Sequence, residues 1–280
     1  MIRRQVGREY WLITQDDHAR VSGVLAEGLG NGRFGAPSSA AAILGIGLHD
    51  CGWPMHDRDP TLNAQHQPLD VFESPRHIGL PVWEASAVLA SEKDPYAGLL
   101  VSLHGLALSA LATGQSPVSR GSWDLSDPRA RFELNRFQHG MIELQERLRG
   151  ELGMRIDRPL KLGLAEESDD PLERQLVYDF RWLQAMDQVS LAICCTKPPF
   201  ESLSPVLPNL RDRAVVIKVQ RPSAGLVTLH PWPFARDILA VDVPFRRLRA
   251  ERFADESEFR AAYAAAPIER FTVALQVHTI

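Results

Sequence analysis

His18, His49, Asp50, His77, His104 and Asp187 are among the side chains here that can supply a nitrogen or oxygen to a metal ion. His49 and Asp50 are adjacent, near the end of Ala40–Trp53, AAAILGIGLHDCGW, a run of small and aliphatic residues. So apolar a run predicts a helix buried nearly all round, with Gly45 and Gly47 letting a second backbone approach and Gly52 ending it. Neighbouring residues on a helix diverge by about 100°, so an adjacent imidazole and carboxylate share one divalent ion only near a helix end.

The other candidates sit on predicted helices. His18 lies on the face of Val21 and Leu25 in a helix over Gln15–Leu29, with Asp16 or Asp17 as N-cap and Val21, Val24, Leu25 and Leu29 as its apolar stripe. His77 falls near the start of a helix over Pro75–Ser91. His104 lies between Leu100 and Leu108 in Tyr96–Ala112, YAGLLVSLHGLALSALA, which is apolar on nearly every side. Asp187 lies between Leu183 and Leu191 on the stripe of a helix over Pro171–Cys195. An ionised carboxylate on a core face costs on the order of several kcal/mol unless a cation or strong donors meet it.

Each residue also has a plainer account. An isolated His-Asp pair can cap a helix end and open a turn. His18 and His104 can be core histidines bonded within the protein, and Asp187 can pair with an arginine. His56 and His66 are read as solvent-side residues, and His230 and His278 as structural or exposed.

The remaining chain supplies the frame. With 280 residues and 45% hydrophobic content it is a globular sequence able to bury a substantial core. A net charge of −4 gives no electrostatic reason to expect nucleic acid or an anionic membrane as partner. The charged opening MIRRQVGREYWLI, the lack of eighteen apolar residues in a row, and three cysteines without a C-x-x-C pair point to a cytoplasmic protein in a reducing compartment. Met1–Thr14 reads as a strand or hairpin, Pro54–Pro75 as a long loop, Gly114–Arg129 as a loop, Phe132–Leu152 as a helix and Asp157–Asp170 as a connector. Beyond Pro198, β-type runs at Ala214–Val219, Leu226–Leu229, Ile238–Val243 and Phe271–Val277, interrupted by a helix at Glu256–Ala265, predict a small antiparallel sheet that Met1–Ile13 can join. The expected fold is therefore α+β: a mainly helical bundle over residues 1–197 and a sheet subdomain over 198–280.

A bundle that aims His and carboxylate ligands inward from several helices is an established way to build a metal site. The order of a lone His, then His-Asp after an apolar helix, then a distant Asp in a late helix resembles the HD-domain superfamily of metal-dependent hydrolases. Its strongest pieces here are LGIGLHDCGW and LQAMDQVSLAIC. The wider layout, with an N-terminal strand, an HD-like helical body and a C-terminal sheet containing HPWPF, looks like an uncharacterised bacterial family of unknown function. The HD resemblance implies that His18, His49, Asp50 and Asp187 hold one ion, with His77 and His104 serving a second. The cofactor would then be one or two divalent ions (Fe, Mn, Mg or Zn).

Such ions lower the pKa of a bound water and polarise a phosphoryl oxygen, so the resemblance implies phosphohydrolysis of a small molecule or nucleotide, with Asp50 and His104 as the catalytic residues. Many HD phosphohydrolases carry a lysine just after the His-Asp pair, where this chain has Trp53. Trp53, Arg20, Arg129 and Arg131 are the candidates for holding substrate. One alternative is a mixed-valent di-iron oxygenase, because enzymes of the superfamily that look like myo-inositol oxygenase use ligands in the same order. A second is a non-catalytic, metal-stabilised binding protein, favoured by a site sealed from solvent. A homodimer through the sheet is compatible with either.

Overall fold

The computed structural model describes residues 1–114, 123–157, 160, 168–210, 212–249 and 252–277. Half of the Gly114–Arg129 loop, much of the Asp157–Asp170 connector and His278 lie outside the described residues. The chain opens as a hairpin of β1 (Ile2–Val6) and β2 (Glu9–Ile13), turned at Gly7, whose φ of 60° suits glycine. Helix α1 (Gln15–Glu27) follows at once. Its N-cap is Thr14, not Asp16 or Asp17, because the Thr14 hydroxyl accepts from the Asp17 N–H. The stripe also differs from expectation at Val24, which is 52% exposed, while Val21, Leu25 and Leu29 are buried.

Helix α2 (Ala40–Gly47) is capped by Ser39 and ends earlier than the apolar run suggests, with Leu48 closing it. His49 and Asp50 therefore lie in the turn beyond the helix. Gly45 and Gly47 do admit close neighbours: a Cβ on Gly45 would stand 3.1 Å from Ala97 Cα, and Gly47 meets Gly23 of α1. Gly52 serves a different purpose from the helix stop read in the sequence. A Cβ there would lie 2.4 Å from Val82 O and 2.5 Å from Ser86 N, so this turn rests directly on the backbone of the helix that carries Val82 and Ser86.

The Pro54–Pro75 segment contains the short helix α3 (Pro54–Asp57) and a 3₁₀ turn at Val71–Glu73. Helices α4 (Arg76–Lys93), α5 (Pro95–Ala112), α6 (Pro128–Glu151) and α7 (Pro171–Cys194) follow, the last three each started by an Asp N-cap and a Pro in the first turn. By length and composition α5 is the one helix among the described residues that could cross a membrane. Here it packs against α2, α4, α6 and α7 inside the helical body.

Four later strands, β3 (Lys218–Ser223), β4 (Leu226–His230), β5 (Ile238–Arg249) and β6 (Ile268–Val277), join the N-terminal hairpin in a six-stranded sheet of order β1-β2-β5-β6-β4-β3. Helix α8 (Glu256–Ala265) connects β5 to β6. The sheet is mixed and not antiparallel as expected, because β4 runs parallel to β6. Its recruitment of the N-terminus is as expected: β2 pairs with β5 from Glu9↔Arg249 to Leu12↔Arg246. Alternation along β5 divides the faces: Val241, Val243 and Phe245 join the core shared with α1 and α7, whereas Leu248 packs with Tyr10, Leu12, Phe259 and Tyr263 under α8.

Two devices tie sheet to helices. The segment after β4, HPWPF, docks on the chain beyond α1, where Gly30 N–H donates to Pro233 O at 3.0 Å and Phe234 is buried. Arg4, 3% exposed, donates to Ile193 O and Ala224 O, while Arg221 donates to Ala192 O, Cys195 O and Thr196 O. Both cations sit at the C-terminus of α7, where unsatisfied carbonyls favour positive charge.

Candidate metal centre

The side chains that converge come from α1, the turn after α2, α5 and α7. Helices α1 and α7 pack against each other, and Ser22 Oγ on α1 donates to Met186 O on α7 at 3.2 Å. That packing brings His18 Nε2 within 2.9 Å of Asp187 Oδ1. His49 Nε2 stands 3.3 Å from His18 Nε2, 3.6 Å from Asp187 Oδ1 and 3.6 Å from Asp50 Oδ2. His104 Nε2 is 3.9 Å from Asp187 Oδ2. His18, His49, Asp50 and His104 are buried, and the Asp187 side chain is 13% exposed.

Hydrogen-bond partners fix what these atoms present to one another. His49 Nδ1 lies 2.8 Å from Ile46 O, a carbonyl that can only accept, so Nδ1 carries a proton and neutral His49 turns the lone pair of Nε2 inward. Ser190 Oγ donates to His18 O at 2.8 Å, so the same oxygen accepts from His18 Nδ1 at 2.7 Å, and the lone pair of His18 Nε2 also faces inward. Two imidazole lone pairs and the oxygens of two carboxylates therefore meet in one small volume. Such a group is stable only with a cation between its members or with an added proton on an imidazole.

The spacing suits an ion. Ligand atoms about 2.1 Å from a common centre, at tetrahedral or octahedral angles, are about 3.0–3.4 Å apart. The observed separations of 2.9, 3.3 and 3.6 Å fall around that range. His18, His49 and Asp187 form a group able to share one ion, and Asp50 borders it through His49.

Without an ion, charge is balanced by protons. Burial alone would pull the His49 pKa down, but Asp50 and Asp187 beside it outweigh that and lift it to about 9. Asp187 is held well below the carboxylate range: burial opposes ionisation, and the bonds and charges of His18 and His49 overcome it. Burial raises Asp50 against the pull of His49 and His18. His104 is driven by burial down to about 3 and stays neutral, and its Nδ1 is buried with no hydrogen-bond partner.

The turn carrying Asp50 is firmly held. Gly52 N–H donates to Ser86 Oγ at 2.9 Å, and Trp53 N–H donates to Asp50 O at 3.0 Å. Trp53, expected beside substrate, is 1% exposed, and its indole N–H donates to Asp50 Oδ1 at 3.1 Å, fixing that carboxylate from behind. Gln15 holds the other oxygen, donating from Nε2 to Asp50 Oδ2 at 3.1 Å.

The remaining expected residues lie elsewhere. His77 is exposed in the first turn of α4 and makes none of the contacts of the cluster. A second ion would therefore lack one of the histidines assigned to it. Arg20 is 67% exposed and bonded to Asp16, Arg131 is exposed and donates to Leu125 O and Ser126 O, and Arg129 is exposed at the start of α6. Asp187 pairs with histidine and, among the described residues, not with arginine.

Gln15 and Ser190 were not singled out in the sequence. Their signal is spacing: each lies three residues from a ligand on its own helix, one turn along the same face. Two surface clefts, one lined by Gly35, Ser38, Tyr178 and Asn209 and the other by Arg3, Asp70, Cys195 and Lys197, include none of the cluster.

No curated protein and no solved structure matches the chain. A protein-family comparison matches residues 1–250, which include every member of the cluster and the whole helical body, and on that match the chain belongs to DUF3891, a family of unknown function.

Proposed function

We propose that the protein is a metal-dependent hydrolase of the HD type, with a phosphate ester of a small molecule or nucleotide as its substrate class. The observation that carries this reading is the convergence of His18 Nε2, His49 Nε2 and Asp187 Oδ1 at ligand spacing, with Asp50 Oδ2 beside them and both imidazole lone pairs turned inward. On this reading His18, His49, Asp50 and Asp187 hold one divalent ion. Bound there, the ion would supply a Lewis acid and an activated water. The chain's own residues orient the ligands: Ile46 O and Ser190 Oγ fix the two imidazoles, and Trp53 and Gln15 fix Asp50. His104 Nε2, 3.9 Å from Asp187 Oδ2, borders the site and is the candidate catalytic histidine on this reading.

A second reading is supported by the burial of the site. With Asp187 the most exposed member at 13%, and with no arginine or lysine in contact with the cluster among the described residues, a metal-stabilised binding protein fits the same geometry. Metal analysis of protein purified without chelator, beside Asp50→Ala and Asp187→Ala, followed by a phosphate-ester panel, separates the readings. Metal lost in both variants together with ester hydrolysis lost in both supports the hydrolase. Bound metal without turnover of any ester favours the binding protein. Two irons per chain with a coupled mixed-valent signal would replace both readings by the oxygenase.

A further inference from the structure

Gln15 opens α1 one turn before His18, and its backbone N–H is held by Asp57 Oδ2 at 3.0 Å, so the side chain is anchored at its root. The residue is 3% exposed. Its Nε2 donates to Asp50 Oδ2, the oxygen that stands 3.6 Å from His49 Nε2. The other end of the same amide, Oε1, is buried and meets no donor. A buried carbonyl without a donor has given up its hydrogen bonds to water with nothing in return. Turning the amide over gives no relief, since Oε1 would then face a carboxylate oxygen and the N–H would be the group left unpaired. The orphaned acceptor therefore sits beside the metal centre in the one orientation that Asp50 permits. His104 Nδ1 is likewise buried without a hydrogen-bond partner.

We propose that Gln15 is a positioning residue of this centre. Its N–H holds Asp50 in the orientation for ligation, and its carbonyl takes a hydrogen bond from a water that enters with the ion. The inference rests on the metal reading above and adds to it the residue that couples Asp50 to whatever the ion carries. Partners of this kind behind ligands typically change metal affinity by about 10–100-fold.

The test uses the full chain, stripped with chelator and titrated with Mn²⁺, with binding read as loss of the free-ion spin-resonance signal. Melting temperature is measured with and without Mn²⁺. In Gln15→Met, of equal length and without polar atoms, Mn²⁺ affinity should fall about tenfold or more. The metal-free melting temperature should change little, since the unpaired carbonyl is removed along with the bond. The rise in melting temperature on adding Mn²⁺ should shrink. Gln15→Asn keeps an amide that falls one methylene short and should weaken binding in the same direction, and it decides the matter if the methionine variant does not fold. Unchanged Mn²⁺ affinity in a folded variant overturns the role of Gln15 and leaves the metal centre standing, as does an equal loss of melting temperature with and without metal. A wild type that takes up neither Mn²⁺, Fe²⁺ nor Zn²⁺ overturns the metal reading itself, and this inference with it.

Discussion

Raising the pH should weaken the metal-free protein and leave the metal-loaded protein nearly level. His49 is fully buried between Asp50 and Asp187, and its pKa stands at about 9 against an ordinary value of 6.5. A histidine whose folded pKa is raised contributes stability that is fully present below the unfolded value and is lost as pH rises through the folded one. The shift corresponds to about 3 kcal/mol, of which about 2 kcal/mol disappears between pH 6.5 and 8.5. The depressed pKa of Asp187 is the same attraction seen from the other partner and adds nothing further to this sum. An ion on His49 Nε2 must displace that proton, so in the same window its apparent affinity rises about tenfold per pH unit, offsetting the loss when metal is in excess.

Urea unfolding at pH 6.5, 7.5 and 8.5, with chelator and with excess Zn²⁺, measures both slopes. Metal-free His49→Gln serves as the control for every other titrating group. A metal-free wild type whose stability relative to that control is level or rising across the window refutes the reasoning. Parallel slopes with and without metal refute the displacement of a proton by the ion.

Two further outcomes test the framework around the site. Gly52→Ala forces a Cβ to within 2.4 Å of Val82 O and 2.5 Å of Ser86 N, both backbone atoms, so it should cost about 3 kcal/mol in urea unfolding and, by shifting the Asp50 turn, weaken metal binding as well. Arg4→Met removes a buried guanidinium from Ile193 O and Ala224 O and should lower stability by about 1–3 kcal/mol in the same assay, with metal affinity little changed because Arg4 bonds none of the ligands.

Much of this protein is legible along the chain because local physics decides it. Asp94-Pro95 and Asp170-Pro171 mark helix starts, since the side chain caps the first turn and proline needs no N–H there. Helix α8 begins and ends where its sequence predicts. His18, His104 and Asp187 could be placed on inward stripes because helical periodicity assigns a face to each residue. Periodicity gives that face only relative to the residue's own helix. Which faces meet is settled by packing, and so His18 and Asp187 come together while His77, histidine in type and right in order, points to solvent. The HD-like identity of the helical body rests on the resemblance and remains part of the proposal.

The direction of β4 against β6 is equally silent in sequence, since the alternation of a strand reads the same in parallel and antiparallel pairing, and a contact across some fifty residues decides between them. Trp53 carries the same lesson. As a sequence it is an aromatic beside a His-Asp pair, open to any role. The tertiary structure turns it inward because Gly52 lets the turn settle on α4, and there its indole N–H finds Asp50. Residue types, and the faces they occupy on their own helices, follow from the chain read locally. Which lone pairs share a space follows from packing, because it depends on distances between elements that no local interaction sets.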